Sequence, residues 1–377
     1  MRSHWLVSAR FDLGVFVLPA LASVALAAIS GRLAGPSGDT PVWAYLLFVV
    51  GVDVAHVHAT TLRVYLDRGE LRRRPGLYVC VPLLGSIAGW LAYQASPLLF
   101  WRALAYLAVF HFMRQQIGWL RLYRRRAGEQ GRWDARLDEA TLYLSMLHPL
   151  LVWHARSLAR FSWFMPGDFV MGLPPSAARA SGVLWALALG AFAARQLQRT
   201  ACGLPVSRGK LLLVLTTAGT WWSGIVLFAN DFAFTLTNVV AHGVPYAAMA
   251  FRVGQAQPTA ARAEWQRWLF ARAARYLALL AGLAYAEEWL WDAAVWREHP
   301  GLFPAPVLEL ERWAGVLVPL LALPQLTHYV LDAYLWRLDG SNPGLAEALG
   351  VSPLRRQAPP FSDPAPPARD AWHHSPR

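Results

Sequence analysis

Runs of about twenty apolar residues recur along this chain, more than any water-soluble fold can hide. A helix needs about 20 such residues to cross a hydrocarbon core of about 30 Å. Ten stretches approach that length: 11–30, 43–62, 77–96, 99–120, 140–157, 179–195, 210–229, 232–251, 271–290 and 314–336. Apolar residues make up 56% of the 377 positions and charged residues only 15%, which leaves too little wettable surface for a soluble body. The 19 tryptophans suit membrane interfaces. The predicted fold is therefore all-α. A polytopic transmembrane helical bundle of about ten spans occupies residues 1–351, and a disordered cytoplasmic tail rich in Pro, Ala, Arg and His occupies 352–377. Asp12 and Pro19 interrupt the first stretch, and it is longer than a signal-peptide core, so it reads as a retained span.

The net charge of +12 would suit nucleic acid, but its placement decides otherwise. Basic residues fill alternate connections. Arg63, Arg68, Arg72, Arg73 and Arg74 follow the second span, and Arg121, Arg124, Arg125, Arg126, Arg132 and Arg136 follow the fourth. Arg195, Arg199, Arg208 and Lys210 follow the sixth; Arg252, Arg262, Arg267, Arg272 and Arg275 follow the eighth. The intervening connections are poor in Lys and Arg, mixed, or acidic, as at Asp292, Glu298, Glu309 and Glu311. This is the positive-inside pattern for an integral protein of a bacterial inner membrane with both termini cytoplasmic. The arginines are expected beside anionic lipid headgroups. Membrane lipids and a lipophilic small molecule are the expected partners, not nucleic acid. Cys80 and Cys202 form no CxxC pair, so no disulfide framework or thiolate site is indicated.

Ionisable residues inside spans are costly, which makes them functional candidates. Four segments carry them: DVAHVHAT, HFMRQQIGW, TNVVAHGVPY and QLTHYVLDAY. Positions three or four apart share a helix face. Asp53 therefore neighbours His56, Gln115 neighbours His111, Asn238 neighbours His242 and Asp332 neighbours His328. All four spans are even-numbered and run toward the basic side. Their histidines lie seven to ten residues before Arg63, Arg121, Arg252 and Arg337. At about 1.5 Å per residue this puts the four imidazoles in one layer, roughly 10–15 Å above the inner boundary. His56, His111, His242 and His328, with Asp332 and Asp53 as carboxylate ligands or orienters, are the predicted metal ligands; helix bridging by hydrogen bonds is the rival reading. Nitrogen and oxygen donors without thiolate suit iron, manganese, zinc or copper, with iron the usual choice for oxygen chemistry.

The remaining polar residues divide by geometry. His58 faces away from His56, and His148 is a possible fifth ligand at mid-membrane. Arg114 needs an anionic partner, for which Asp53 and Asp332 are the candidates. Arg63 lies two turns from His56 on nearly the same face, as a headgroup-binding residue or a topology anchor. Glu287 and Glu288 read as interfacial.

In the segments around His56, His111, His242 and His328 the chain resembles the Brp/Blh family of β-carotene oxygenases, in which histidines from several helices hold iron. That resemblance implies an iron-dependent oxygenase acting on an isoprenoid. The HxxxH and HxxHH boxes of fatty-acid desaturases are missing. HFMRQQIGWLRLY and HYVLDAYLWRLDGSNPGL also look like a bacterial membrane family without an assignable function. The leading expectation is a membrane metal oxidoreductase acting on a lipid or isoprenoid. The alternatives are a transporter or channel with a polar layer, and a haem protein using two of the histidines axially.

Overall fold

The computed structural model describes residues 3–33, 39–156, 162–256, 262–305, 310–342 and 344–351. The predicted tail over 352–377 and Glu309 lie outside the described residues. Among the described residues the chain is helical and has no strand. Ten long helices follow one another: α1 (Ala9–Ala28), α2 (Val42–Val64), α3 (Pro75–Ala95), α4 (Pro97–Ala127), α5 (Arg132–Arg156), α6 (Pro175–Ala201), α7 (Arg208–Leu227), α8 (Asp231–Ala256), α9 (Ala273–Trp296) and α10 (Ala314–Leu335). Their ends carry ordinary stop and start chemistry. The Ser96 side chain accepts from Leu99 N and Pro97 opens α4, while Gly128 at φ 72° closes it. Pro324 helps restart α10 after a break at Ala322.

Six of the ten are long and apolar enough to cross a membrane: α1, α2, α3, α6, α7 and α10. A seventh is added if α9 is joined to the short helix Glu264–Phe270, from which it turns by 105°. The ten stretches seen in sequence thus correspond to ten helices, of which six meet the apolar criterion. The physical reason is polarity turned inward. α4 carries His111, Gln115 and Gln116, α5 carries Asp134, Asp138 and His148, and α8 carries Asn238 and His242. By contrast α3 and α6 turn Leu83, Leu84, Leu91, Leu184 and Leu187 outward.

Four helices close a square at the centre. α2 packs on α8 and α10, and α4 packs on the same two. α9 leans on α2, α3 on α4 and α10, and α5, α6 and α7 build outward from α4. Where α2 meets α8, Gly243 permits a close approach: a Cβ there would lie 2.8 Å from Val52 Cγ1 and 3.1 Å from Val52 O. The first half of α2, Tyr45–Val54, winds in wide π-type turns that end just before His56.

The basic connections gather at one end of the bundle. Ser3 N donates to Arg126 O at 3.1 Å and Gly209 N to His4 O at 3.0 Å. Arg74 donates to Ser341 O at 2.5 Å, Arg126 donates to Gly350 O, and Arg252 lies over Phe11. Not all of these cations face lipid, as the sequence had implied. Lys210 is fully buried, 2.5 Å from Glu129 Oε2 and 3.0 Å from Asp138 Oδ2, with Arg124 3.3 Å from the latter. Arg195, with Arg199, pairs with Asp134 and holds that carboxyl below the usual range.

Candidate metal centre

Each side of the central square brings two histidines together. His56 of α2 meets His242 of α8 at 4.7 Å between ring centroids, and His242 meets His111 of α4 at 5.0 Å. His111 meets His328 of α10 at 4.6 Å, and His328 returns to His56 at 4.9 Å. All four pairs are edge-on, and all four residues are 0–4% exposed. One nitrogen from each lies within 4.8 Å of every other. The layer predicted from sequence depth is therefore present as a closed ring of imidazoles.

Hydrogen-bond direction fixes which ring atoms remain free. Asp332 Oδ1 accepts from Tyr246 OH at 2.5 Å. The Tyr246 oxygen then accepts from Thr60, 2.7 Å away, whose own oxygen accepts from His328 Nδ1 at 2.8 Å. The chain has an acceptor-only carboxylate at one end, so His328 Nδ1 carries the proton and Nε2 carries the lone pair. His56 Nδ1 lies 3.2 Å from Val52 O, a pure acceptor, so its Nε2 is bare as well. His111 Nε2 and His328 Nε2 are buried without a hydrogen-bond partner. Buried ring nitrogens without a partner are uncommon in a core. His242 Nε2 stands 3.1 Å from His56 Nε2.

Asp332 lies 3.8 Å from both His111 Nε2 and His328 Nδ1, so it serves two corners rather than its own helix alone. Asp53 lies 3.8 Å from His56 Nδ1 and remains 34% accessible because it faces a cavity. Gln115 braces the square by donating to His242 O at 2.9 Å. Asn238 donates to Phe234 O of its own helix at 3.0 Å. Arg63 donates to Leu335 O at 2.9 Å and lies over Trp336, which ties α2 to the end of α10.

Arg114 departs from the sequence reading. It is exposed, on a stripe with Phe110, Gly118 and Arg121, and donates to Tyr143 OH at 2.9 Å rather than pairing with Asp53 or Asp332. Its long stem carries the guanidinium off the buried face. His58 points out of the ring to Glu287, 3.1 Å away, and Glu288 accepts from Tyr45 OH at 2.6 Å. Both glutamates are buried, not interfacial. His148 sits apart, bonded to Ser181 at 2.8 Å and stacked on Trp222.

Sequence reasoning missed Thr60, Tyr246 and Phe112, the last stacked on His242 at 3.8 Å. Thr60 and Tyr246 each lie four residues after a histidine, on the same face, which is the signal that would have found them. Comparison with protein-family models, with curated proteins and with solved structures finds no match.

Proposed function

We propose that this protein is a membrane-embedded, metal-dependent oxidoreductase of the oxygenase, hydroxylase or desaturase type. Its substrate is a lipid or isoprenoid that enters from the bilayer. All ten long helices cross a bacterial inner membrane in this reading, with both termini cytoplasmic, because the basic connections share one end. One observation carries the reading: four buried imidazoles converge, and the Nε2 atoms of His111 and His328 have no hydrogen-bond partner among the described residues. A hydrogen bond between His56 and His242 would account for one contact and leave the other two nitrogens unpaired.

The donor set is imidazole nitrogen with a carboxylate nearby and no thiolate, which suits iron among the common metals when oxygen chemistry follows. Metal–nitrogen bonds of about 2 Å put ligand nitrogens at most about 4 Å apart across an ion, so a ring whose nitrogens lie within 4.8 Å of one another would draw in by about 1 Å. A single ion fits better than haem, since the plane a macrocycle needs between two axial imidazoles is filled by the other two rings. A solute path is disfavoured on the same ground, because the rings pack edge to edge across the centre of the square. The ion, when bound, supplies redox chemistry that side chains lack. The residues around it orient and exclude. Asp332, Tyr246 and Thr60 lock the His328 tautomer. Phe112 covers His242, and Asp53 stands beside His56 to hold or release a proton.

The test is metal per protein for wild type, His242→Ala, His328→Ala and the control His58→Ala, measured with thermal stability. Stoichiometric metal in wild type and His58→Ala, lost from the other two while the helices persist, is the expected outcome. Wild-type protein purified without chelators and free of metal would overturn the reading.

A further inference from the structure

A cavity of about 230 Å³ lies on the outer side of the histidine ring, within the same square of helices. Its floor is made by Asp53, Ala108, Val239 and Gln325, each three residues before a ring histidine and so one turn further out. Its walls are largely aromatic, with Trp101 stacked on Phe164 at 4.9 Å and Trp291 stacked on Trp296 at 5.7 Å. The volume equals roughly seven or eight waters at about 30 Å³ each, room for a ring-sized head and its functional group.

The charged side chains facing this space are of one sign, beside the hydroxyls of Tyr45, Thr235 and Tyr329 and the indoles of its tryptophans. Asp53, Glu288 and Glu298 contribute carboxylates, and no Lys, Arg or His lines it among the described residues. Gln325 donates its Nε2 to Glu287 at 2.6 Å, which leaves its Oε1 without a partner. Asp53 is the one carboxylate that touches both the cavity and the ring, 3.8 Å from His56 Nδ1. An anion brought here would be desolvated against carboxylates with no compensating cation, at a cost of several kcal/mol. A donor head meets acceptors on the floor and aromatic faces on the walls, which attract N–H and ammonium groups.

We propose that this chamber is the substrate site, that it takes an apolar molecule whose polar end is a hydrogen-bond donor, an alcohol or an amine, and that Asp53 receives that end beside His56. Carboxylate- and phosphate-bearing lipids are excluded. The assignment rests on reading the ring as the reaction centre, but its test does not require metal.

Three probes of matched size distinguish the head groups: phenethyl alcohol, phenethylamine and phenylacetate. Their binding to the full chain in nanodiscs is followed by quenching of tryptophan fluorescence, in wild type and in His328→Ala. The alcohol and the amine should bind at least tenfold more tightly than phenylacetate in both proteins. Asp53→Asn should remove most of the advantage of the amine, and Val49→Phe, which fills the chamber without altering Asp53, should weaken all three. Equal binding of phenylacetate, or an amine affinity untouched by Asp53→Asn, overturns the proposal. Should wild type lack metal yet still discriminate, the chamber stands and the metalloenzyme reading falls. If it holds metal and does not discriminate, the chamber falls alone.

Discussion

His242 Nε2 and His56 Nε2 face each other at 3.1 Å across the seam between α8 and α2. Two nitrogens bound to one ion at about 2 Å and at near-right to tetrahedral angles stand about 3 Å apart, so the pair is already at ligand spacing. The seam is set by Gly243, next to His242, whose missing side chain lets Val52 come close.

Gly243→Ala should therefore act on the metal centre without replacing a ligand, the new carbon lying against Val52 and 3.3 Å from His56 Nδ1. The added methyl meets backbone on the far side as well as a side chain, so the helices must part, at about 1–3 kcal/mol of stability. Metal content should fall with it. Gly282→Ala, on an exposed face of α9 with nothing within 4 Å of the new carbon, is the control and should be neutral or stabilising by up to about 1 kcal/mol. Retention of wild-type metal by Gly243→Ala would show that the approach of the two helices does not position the pair.

Tyr246→Phe interrupts the chain from His328 to Asp332 while keeping the ring that packs on His328 at 4.9 Å. Loss of such an outer partner typically costs 10–100-fold in metal affinity. Tyr246→Phe and Thr60→Val should each weaken metal binding by about that factor in a competition titration, with the helical content unchanged. An unaltered affinity in Tyr246→Phe would mean that the chain is a packing feature.

Topology is open to a labelling experiment once Cys80 and Cys202, both exposed, are replaced by Ser. A cysteine at Arg125 or Arg208 should resist a membrane-impermeant thiol reagent added to intact cells. Gly301→Cys, at the opposite end of the bundle, should react. Labelling of Arg125→Cys from outside would contradict the shared cytoplasmic end.

The ten helices were legible because apolar length is a strong, local signal, and the ring was legible because its four histidines are islands of cost in apolar surroundings. Depth could be counted from the arginine that follows each span. Rotation about the helix axis was not so easily read. Arg114 is three residues from His111 and was expected to meet Asp53 or Asp332, yet the buried face of α4 ends between Met113 and Arg114. Asp332 was assigned to His328 by spacing alone, whereas the fold also sets it 3.8 Å from His111 on another helix. Periodicity places residues on one helix; it does not say which helix they will meet. Apolarity failed at α4 and α8 for a related reason: helices that enclose a polar centre need less lipid-like surface, so their own hydropathy understates their burial.

The square of α2, α4, α8 and α10 also sets an order of events during synthesis. Its corners are spread over 272 positions from His56 to His328, and ribosomes add about 5–20 residues per second. For on the order of fifteen to fifty seconds, then, the nascent protein holds one, two or three of its imidazoles in the bilayer while the last is still unmade. If the ring is the metal site we propose, tight capture must await the arrival of α10. On that reading maturation of the centre would be a late event that follows insertion, and a cell short of metal would accumulate inserted chains that wait to be loaded.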